Sequence, residues 1–96
     1  MYGLIGKLRT VEGGAQRLAS IMCGIGEMPG CVSYVVALDP DDPDVVWVTE
    51  VWESADAHAA SLELESVQSA IAEGGPLITG FELRQQTVPQ GGFGLT

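Results

Sequence analysis

Two stretches of this chain, Cys31 to Leu38 and Val45 to Glu53, are apolar on both strand parities. In the first, Val32, Tyr34, Val36 and Leu38 alternate with Ser33, Val35 and Ala37; the second holds both tryptophans, Trp47 and Trp52. Successive side chains of a strand point to opposite faces, so a strand that is apolar at nearly every position has to be covered on both sides. Asp39-Pro40-Asp41-Asp42-Pro43-Asp44 separates the two, with proline fixing φ and aspartate supporting the bend. The pair reads as a hairpin buried on both faces, and the rest of the chain must help to cover it.

Residues 2–10 alternate, with Tyr2, Leu4, Gly6 and Leu8 opposed to Ile5, Lys7 and Arg9, which marks a strand ended by Gly13-Gly14. From Gln16 the apolar positions are Leu18, Ile21, Met22, Ile25 and Met28, the stripe of a helix buried along one side, closed by Pro29-Gly30. Gly24 and Gly26 cost this helix about 1 kcal/mol each relative to alanine, so it depends on packing. Ser54 caps a second helix with Asp56 in its first turn. That segment breaks near Leu62-Glu63, resumes with Leu64, Val67, Ala70 and Ile71 on its buried side, and ends at Gly74-Gly75-Pro76. Thr79 to Val88 is a last strand, in which Phe81 and Leu83 alternate with Glu82 and Arg84. Residues 89–96 form a glycine-rich tail carrying Phe93 and Leu95, either frayed or laid across a partner subunit.

The order β-α-β-β-α-β over residues 1–96 predicts a single α+β domain with an antiparallel sheet, the ferredoxin-like pattern. Its helices cover one sheet face and leave the other bare. A chain of 96 residues buries only about 60–65% of its unfolded surface, and 46% of these residues are hydrophobic. Two sheets packed face to face across a two-fold axis would cover the bare side, so a homodimer is expected.

Composition excludes several functions. The formal net charge is -9 with four lysines and arginines, too few cations to cluster on phosphates, so neither nucleic acid nor an anionic membrane surface is an expected partner. The opening residues, Met1 to Arg9, lack a basic region and a long apolar core, and no apolar run reaches membrane-spanning length, which predicts a cytoplasmic protein. Cys23 and Cys31 have no metal-ligand or redox spacing and read as two small buried thiols in a reducing compartment. One histidine and two separated cysteines do not make a zinc site. The aspartates at 39, 41, 42 and 44 lack the glycine turn and the bidentate glutamate of a calcium loop, and read as a solvated turn.

The element order, the Met28-Pro29-Gly30-Cys31 entry to the second strand, and Glu50-Val51-Trp52-Glu53-Ser54 leading into a helix resemble the antibiotic biosynthesis monooxygenase (ABM) domain. Ala57-His58-Ala59-Ala60-Ser61-Leu62, Pro76-Leu77-Ile78 and Gly80-Phe81 are similar to one bacterial branch of it, and the resemblance spans essentially the whole chain. It implies a dimeric α+β barrel and the oxidation of electron-rich phenols, hydroquinones or anthrones with O₂, without metal or flavin. Such chemistry needs a base, a dry aromatic-lined cavity and donors for the anion formed. Many members carry a histidine one helical turn later, where Ser61 stands here. Haem-degrading relatives use an Asn-Trp-His set; this chain has Ile71 at the histidine's place and contains no asparagine, so haem degradation is not implied.

Against this background His58, the only histidine, either accepts a phenolic proton or is a helix residue bonded to Glu50 or Glu53. Trp52 shares a strand face with Glu50, Val48 and Val46, while Trp47, Thr49 and Val51 take the other; which face meets the helices is open. Trp52 lines a flat substrate or packs in the core. Tyr34 donates to a quinol oxygen or to a core carbonyl. Glu50 is costly to bury unpaired, with Arg84 or Lys7 as natural partners and a pocket-tuning role. Arg84 steadies a phenolate, or closes an ion pair with Glu50 or Glu82. The implied function is a cofactor-independent monooxygenase of a small aromatic, quinol-like or polyketide-like compound, with His58 catalytic and Trp52, Tyr34, Glu50 and Arg84 binding substrate. The alternatives are a non-catalytic binding or stress-response protein on the same fold, and an enzyme that moves protons without oxygen.

Overall fold

A computed structural model describes residues 1–95; Thr96, the end of the glycine-rich tail, lies outside the described residues. The elements are β1 (Tyr2–Thr10), α1 (Ala15–Cys23), β2 (Cys31–Leu38), β3 (Val45–Trp52), α2 (Ala55–Ser61), α3 (Glu65–Gly74) and β4 (Ile78–Thr87). They form one antiparallel sheet in the order β2-β3-β1-β4, the ferredoxin-like arrangement expected from the order of elements.

Both long β-ladders are set by parity. Tyr2 pairs with Trp52, Leu4 with Glu50, Gly6 with Val48 and Leu8 with Val46 across β1 and β3. Tyr34 and Val36 of β2 extend two of these rows, opposite Glu50 and Val48. A core of Leu8, Leu18, Val46 and Val48 and a second one of Met28, Trp52 and Val67 show that this set faces the helices. The alternate residues, Ile5, Lys7, Ser33, Val35, Trp47 and Thr49, face outward on the side the helices leave bare. The question of which face of the Trp52 strand is covered is thereby closed: Trp52 is 1% exposed and Val46 fully buried, while Val35 on the outer side is 54% exposed.

Three local features depart from the sequence-based expectation. The first helix stops at Cys23 instead of running to Met28, with Gly24 as its C-cap and Gly26 at φ +82°, a conformation that L side chains rarely adopt. Ile25 and Met28 still turn inward from the connecting loop, so the apolar stripe survives its helix. The thiols are not both buried: Cys23 is exposed and Cys31 only half-buried. The β1–β4 ladder carries a register shift between Lys7 and Leu8, which opposes Lys7 to Leu83 and Leu8 to Phe81 and leaves Glu82 between them.

α2 is held where the sequence places it. The Ser54 hydroxyl accepts from the Ala57 N–H at 3.1 Å, a cap worth about 1 kcal/mol, and Asp56 sits in the first turn. Gly30, at φ +80°, lies so close to this helix that a Cβ there would stand 2.6 Å from the Cβ of Ala57. The Glu53 N–H donates to the Gly30 carbonyl at 2.9 Å and ties the entry of β2 to the exit of β3. Glycine at position 30 therefore sets how near α2, and His58 on it, approaches the sheet.

Candidate functional site

Between the helices and the inner sheet face lies a cavity of about 330 Å³. Leu4, Leu18, Met22, Met28, Val48 and Val67 make much of its wall apolar. Its polar side chains come from four elements: Tyr34 on β2, Glu50 and Trp52 on β3, His58 and Ser61 on α2, and Arg84 on β4. All five residues singled out from sequence, His58, Trp52, Tyr34, Glu50 and Arg84, thus border one space. This follows from register: Glu50 and Tyr34 are cross-strand partners, and Arg84 lies opposite Gly6, which itself lies opposite Val48.

Glu50 is the hub. Its Oε1 accepts the Trp52 indole N–H at 3.0 Å, and the same oxygen is 3.9 Å from His58 Nε2. The second distance is too long for a hydrogen bond, so the carboxylate faces the imidazole without bonding it. The side chains of His58 and Glu50 are 17% and 14% exposed, so their interaction is weakly screened. The imidazole lies between two aromatic rings, 5.3 Å from Trp52 in an edge-on arrangement and 5.5 Å from Tyr2. It is held laterally by the two aromatic rings and faces one carboxylate.

Burial, and then the Glu50 charge, push the Tyr34 phenol well above its ordinary range. The same two causes, in the same order, raise the Cys31 thiol. Tyr34 therefore stays protonated at any physiological pH and can act as a hydrogen-bond donor. A neutral donor, a histidine base and a carboxylate behind it can together take a proton from a phenol and hold the resulting anion.

Two expected pairings are not formed. Glu50 was matched with Arg84 or Lys7, but its partners are Trp52 and His58 on its own side of the sheet. Glu82, offered as a mate for Arg84, instead bonds Arg9 Nε and lies 3.1 Å from Lys7 Nζ. The register shift in β4 is the physical cause, because it turns Glu82 to the outer face while Arg84 stays with Gly6 on the inner one. Arg84 rests over the Phe81 ring instead, its Cζ 5.7 Å from the centroid.

Sequence reasoning left out Tyr2, Ser61 and Phe81. Tyr2 shares parity with Leu4 and is registered opposite Trp52, so the alternation of the first strand already carried the signal. Ser61 donates to the His58 carbonyl at 2.6 Å and lines the cavity at the end of α2. Phe81, 55% exposed, forms part of the rim, and only the register shift brings it there. Among the described residues no three histidine, cysteine or acidic side chains gather to hold a metal ion, and no helix is long and apolar enough to cross a membrane.

Fold and site together define a ferredoxin-like α+β domain with a largely apolar cavity between its sheet and helices. A sequence model of the antibiotic biosynthesis monooxygenase family matches residues 1–73, and the chain belongs to that family. It is 53% identical to a candidate antibiotic biosynthesis monooxygenase from Chloroflexus aurantiacus J-10-fl, with a TM-score of 0.95 over 99% of this chain and 98% of that one. A second candidate of the same description, from Deinococcus radiodurans, is 23% identical with a TM-score of 0.77, covering 97% of this chain and 96% of the other. A third, from Caulobacter crescentus CB15, is 20% identical with a TM-score of 0.73, covering 90% and 84%. The last two establish the fold alone. No protein of curated function matches the chain.

Proposed function

We propose that the chain is a cofactor-independent monooxygenase that oxidises a small aromatic, quinol-like or polyketide-like substrate with O₂. The observation that carries this reading is His58, held between two aromatic rings and 3.9 Å from Glu50, on the wall of an apolar chamber. His58 takes the phenolic proton, and Glu50 stabilises the imidazolium so formed. Tyr34 donates to the phenolate oxygen, and Trp52 provides a flat wall. The electron-rich anion then reduces O₂ against the largely apolar wall of this pocket. The overall balance is SH₂ + O₂ → SO + H₂O: one oxygen atom enters the product and the other leaves as water with the two hydrogens of the substrate.

In the same reading two copies pack their outer sheet faces together, with the glycine-rich tail reaching the partner. Support comes from the apolar surface that face exposes, Val35 at 54% and Leu83 at 39%. A cytoplasmic location agrees with the two cysteines standing as free thiols. Native mass measurement at micromolar concentration tests the dimer, and a stable monomer contradicts it.

Oxygen uptake with a panel of hydroquinones, compared between the wild type and His58→Ala, tests the activity. The expected result is turnover that falls by about 10²–10⁴-fold in the variant. Ligand-dependent thermal stabilisation without oxygen consumption would instead favour a binding or stress-response protein.

A further inference from the structure

We infer that Arg84 is an anion-binding subsite of this chamber, and that the substrate is an aromatic acid whose carboxylate docks there while its hydroxyl faces His58. The inference rests on the monooxygenase reading for the role of His58, and on the ion-pair pattern for the acid.

The chain has 13 acidic residues against four lysines and arginines, so each cation has a surplus of carboxylates to choose from. Lys7 and Arg9 are taken by Glu82, Arg9 also by Asp42 at 2.8 Å, and Arg17 stands 4.0 Å from Glu73. Among the described residues no carboxylate lies within 4.0 Å of Arg84. Of the four lysines and arginines, Arg84 is the one left over among the described residues, and it borders the cavity. The Phe81 ring supports the guanidinium without using up its hydrogen-bond fork.

The register gives the subsite a distance and an orientation. Arg84 and Glu50 lie two strands apart and one inward-facing position apart along the sheet. With strand spacings of about 4.8 Å and a rise of about 3.3 Å per residue, their Cα atoms are roughly 12 Å apart. Both side chains reach inward, leaving a span suited to a molecule of one or two rings. Between them Gly6 contributes no side chain, and a Cβ there would stand 3.1 Å from Val48 Cγ1. The negative Glu50 end repels a carboxylate and the Arg84 end accepts it bidentately, so an aromatic acid has one favoured direction of entry.

The test is equilibrium binding, under anaerobic conditions, of naphthohydroquinone and of its counterpart carboxylated on the distal ring. The wild type is expected to bind the acid about 10- to 100-fold more tightly. Arg84→Gln should erase that preference, so that the acid and the neutral compound bind alike, and Arg84→Lys should keep part of it. Arg84 is exposed, and thermal melting checks that its variants stay folded. Equal or weaker binding of the acid by the wild type overturns the inference, as does a preference that persists in Arg84→Gln, or no binding of either compound. Oxygen uptake on the same pair separates the two proposals. Selective binding without turnover removes the monooxygenase reading and leaves the subsite; turnover of the neutral quinol with no preference for the acid does the reverse.

Discussion

Trp52 and Trp47 sit on the same strand with opposite parity, and each donates its indole N–H to a carboxylate. For Trp52 the acceptor is Glu50 at 3.0 Å; for Trp47 it is Asp39 at 2.9 Å. The surroundings differ completely. Trp52 is 1% exposed, packed with Met28 and Val67, and touches His58 edge-on. Trp47 is half-buried on the outer sheet face, with the Lys7 ammonium 5.3 Å from its ring. The same residue type with the same polar contact is a wall of the chamber on one face and part of a charged, half-open surface on the other. What each tryptophan packs against is set by its strand face, not by its residue type.

The largest effect expected from this contrast is on stability. Trp52→Ala should cost roughly 3–5 kcal/mol, while Trp47→Ala should cost about 1 kcal/mol in the isolated chain. Urea denaturation at two protein concentrations sharpens the comparison. In the proposed dimer the wild-type midpoint rises with concentration, and Trp47→Ala should weaken that dependence. Comparable losses for the two alanine variants in the monomer would break the comparison.

A second effect concerns how the inner face is spaced. Gly30→Ala places a side chain at positive φ and against Ala57, so it should cost about 1–2 kcal/mol and displace His58 from Glu50. Gly80→Ala, where a Cβ meets nothing within 4 Å, serves as the control and should be nearly silent. Thermal melting and oxygen uptake on both variants check this, and equal behaviour would show that α2 is not set by Gly30.

Smaller again is the Tyr34 hydroxyl. Tyr34→Phe should lower kcat/KM roughly tenfold. Because burial pushes this phenol above its ordinary value of 10.0, the profile below that pH should keep its shape in the variant. A limb near neutral pH that disappears with Tyr34→Phe would contradict this.

The smallest effect belongs to the outer face. Hydrogen bonds from Arg9 hold the Glu82 and Asp42 carboxyls below their ordinary values, and the Trp47 indole does the same for Asp39. A carboxyl depressed in the folded chain contributes stability above its unfolded value, near 4.5 for Glu82 and 3.8 for the aspartates. That contribution is lost as the pH falls through the depressed folded values. These groups are solvated, so the gain is modest and sensitive to salt. Melting from pH 7 to pH 3 should therefore show a shallower acid decline for Glu82→Gln than for the wild type.

Much of the molecule was legible from the residues alone. Alternation marked β1 and β4, runs apolar on both parities marked β2 and β3, Ser54 marked a helix start, and Leu62-Glu63 marked the break between α2 and α3. What escaped was set by geometry between residues distant in the chain. The Arg9–Glu82 pair joins residues 73 positions apart, and only the β4 register shift selects it over an Arg84 pair. The inner face of β3 could not be assigned until the α1 and α3 residues Leu18 and Val67 were seen packed against the sheet. The first helix ended early because Gly24 and Gly26 outweigh an apolar stripe whose last members, Ile25 and Met28, can point inward from a loop.

The central claim is that the small-molecule site is the covered face holding Trp52 and His58. Trp47→Phe leaves Trp52 as the only tryptophan, and titration with a quinone reads its fluorescence directly. Saturable quenching of Trp52, weakened by His58→Ala, is the predicted result. A linear, non-saturating response identical to that of free tryptophan would show that quinones do not enter the chamber, and would contradict the account.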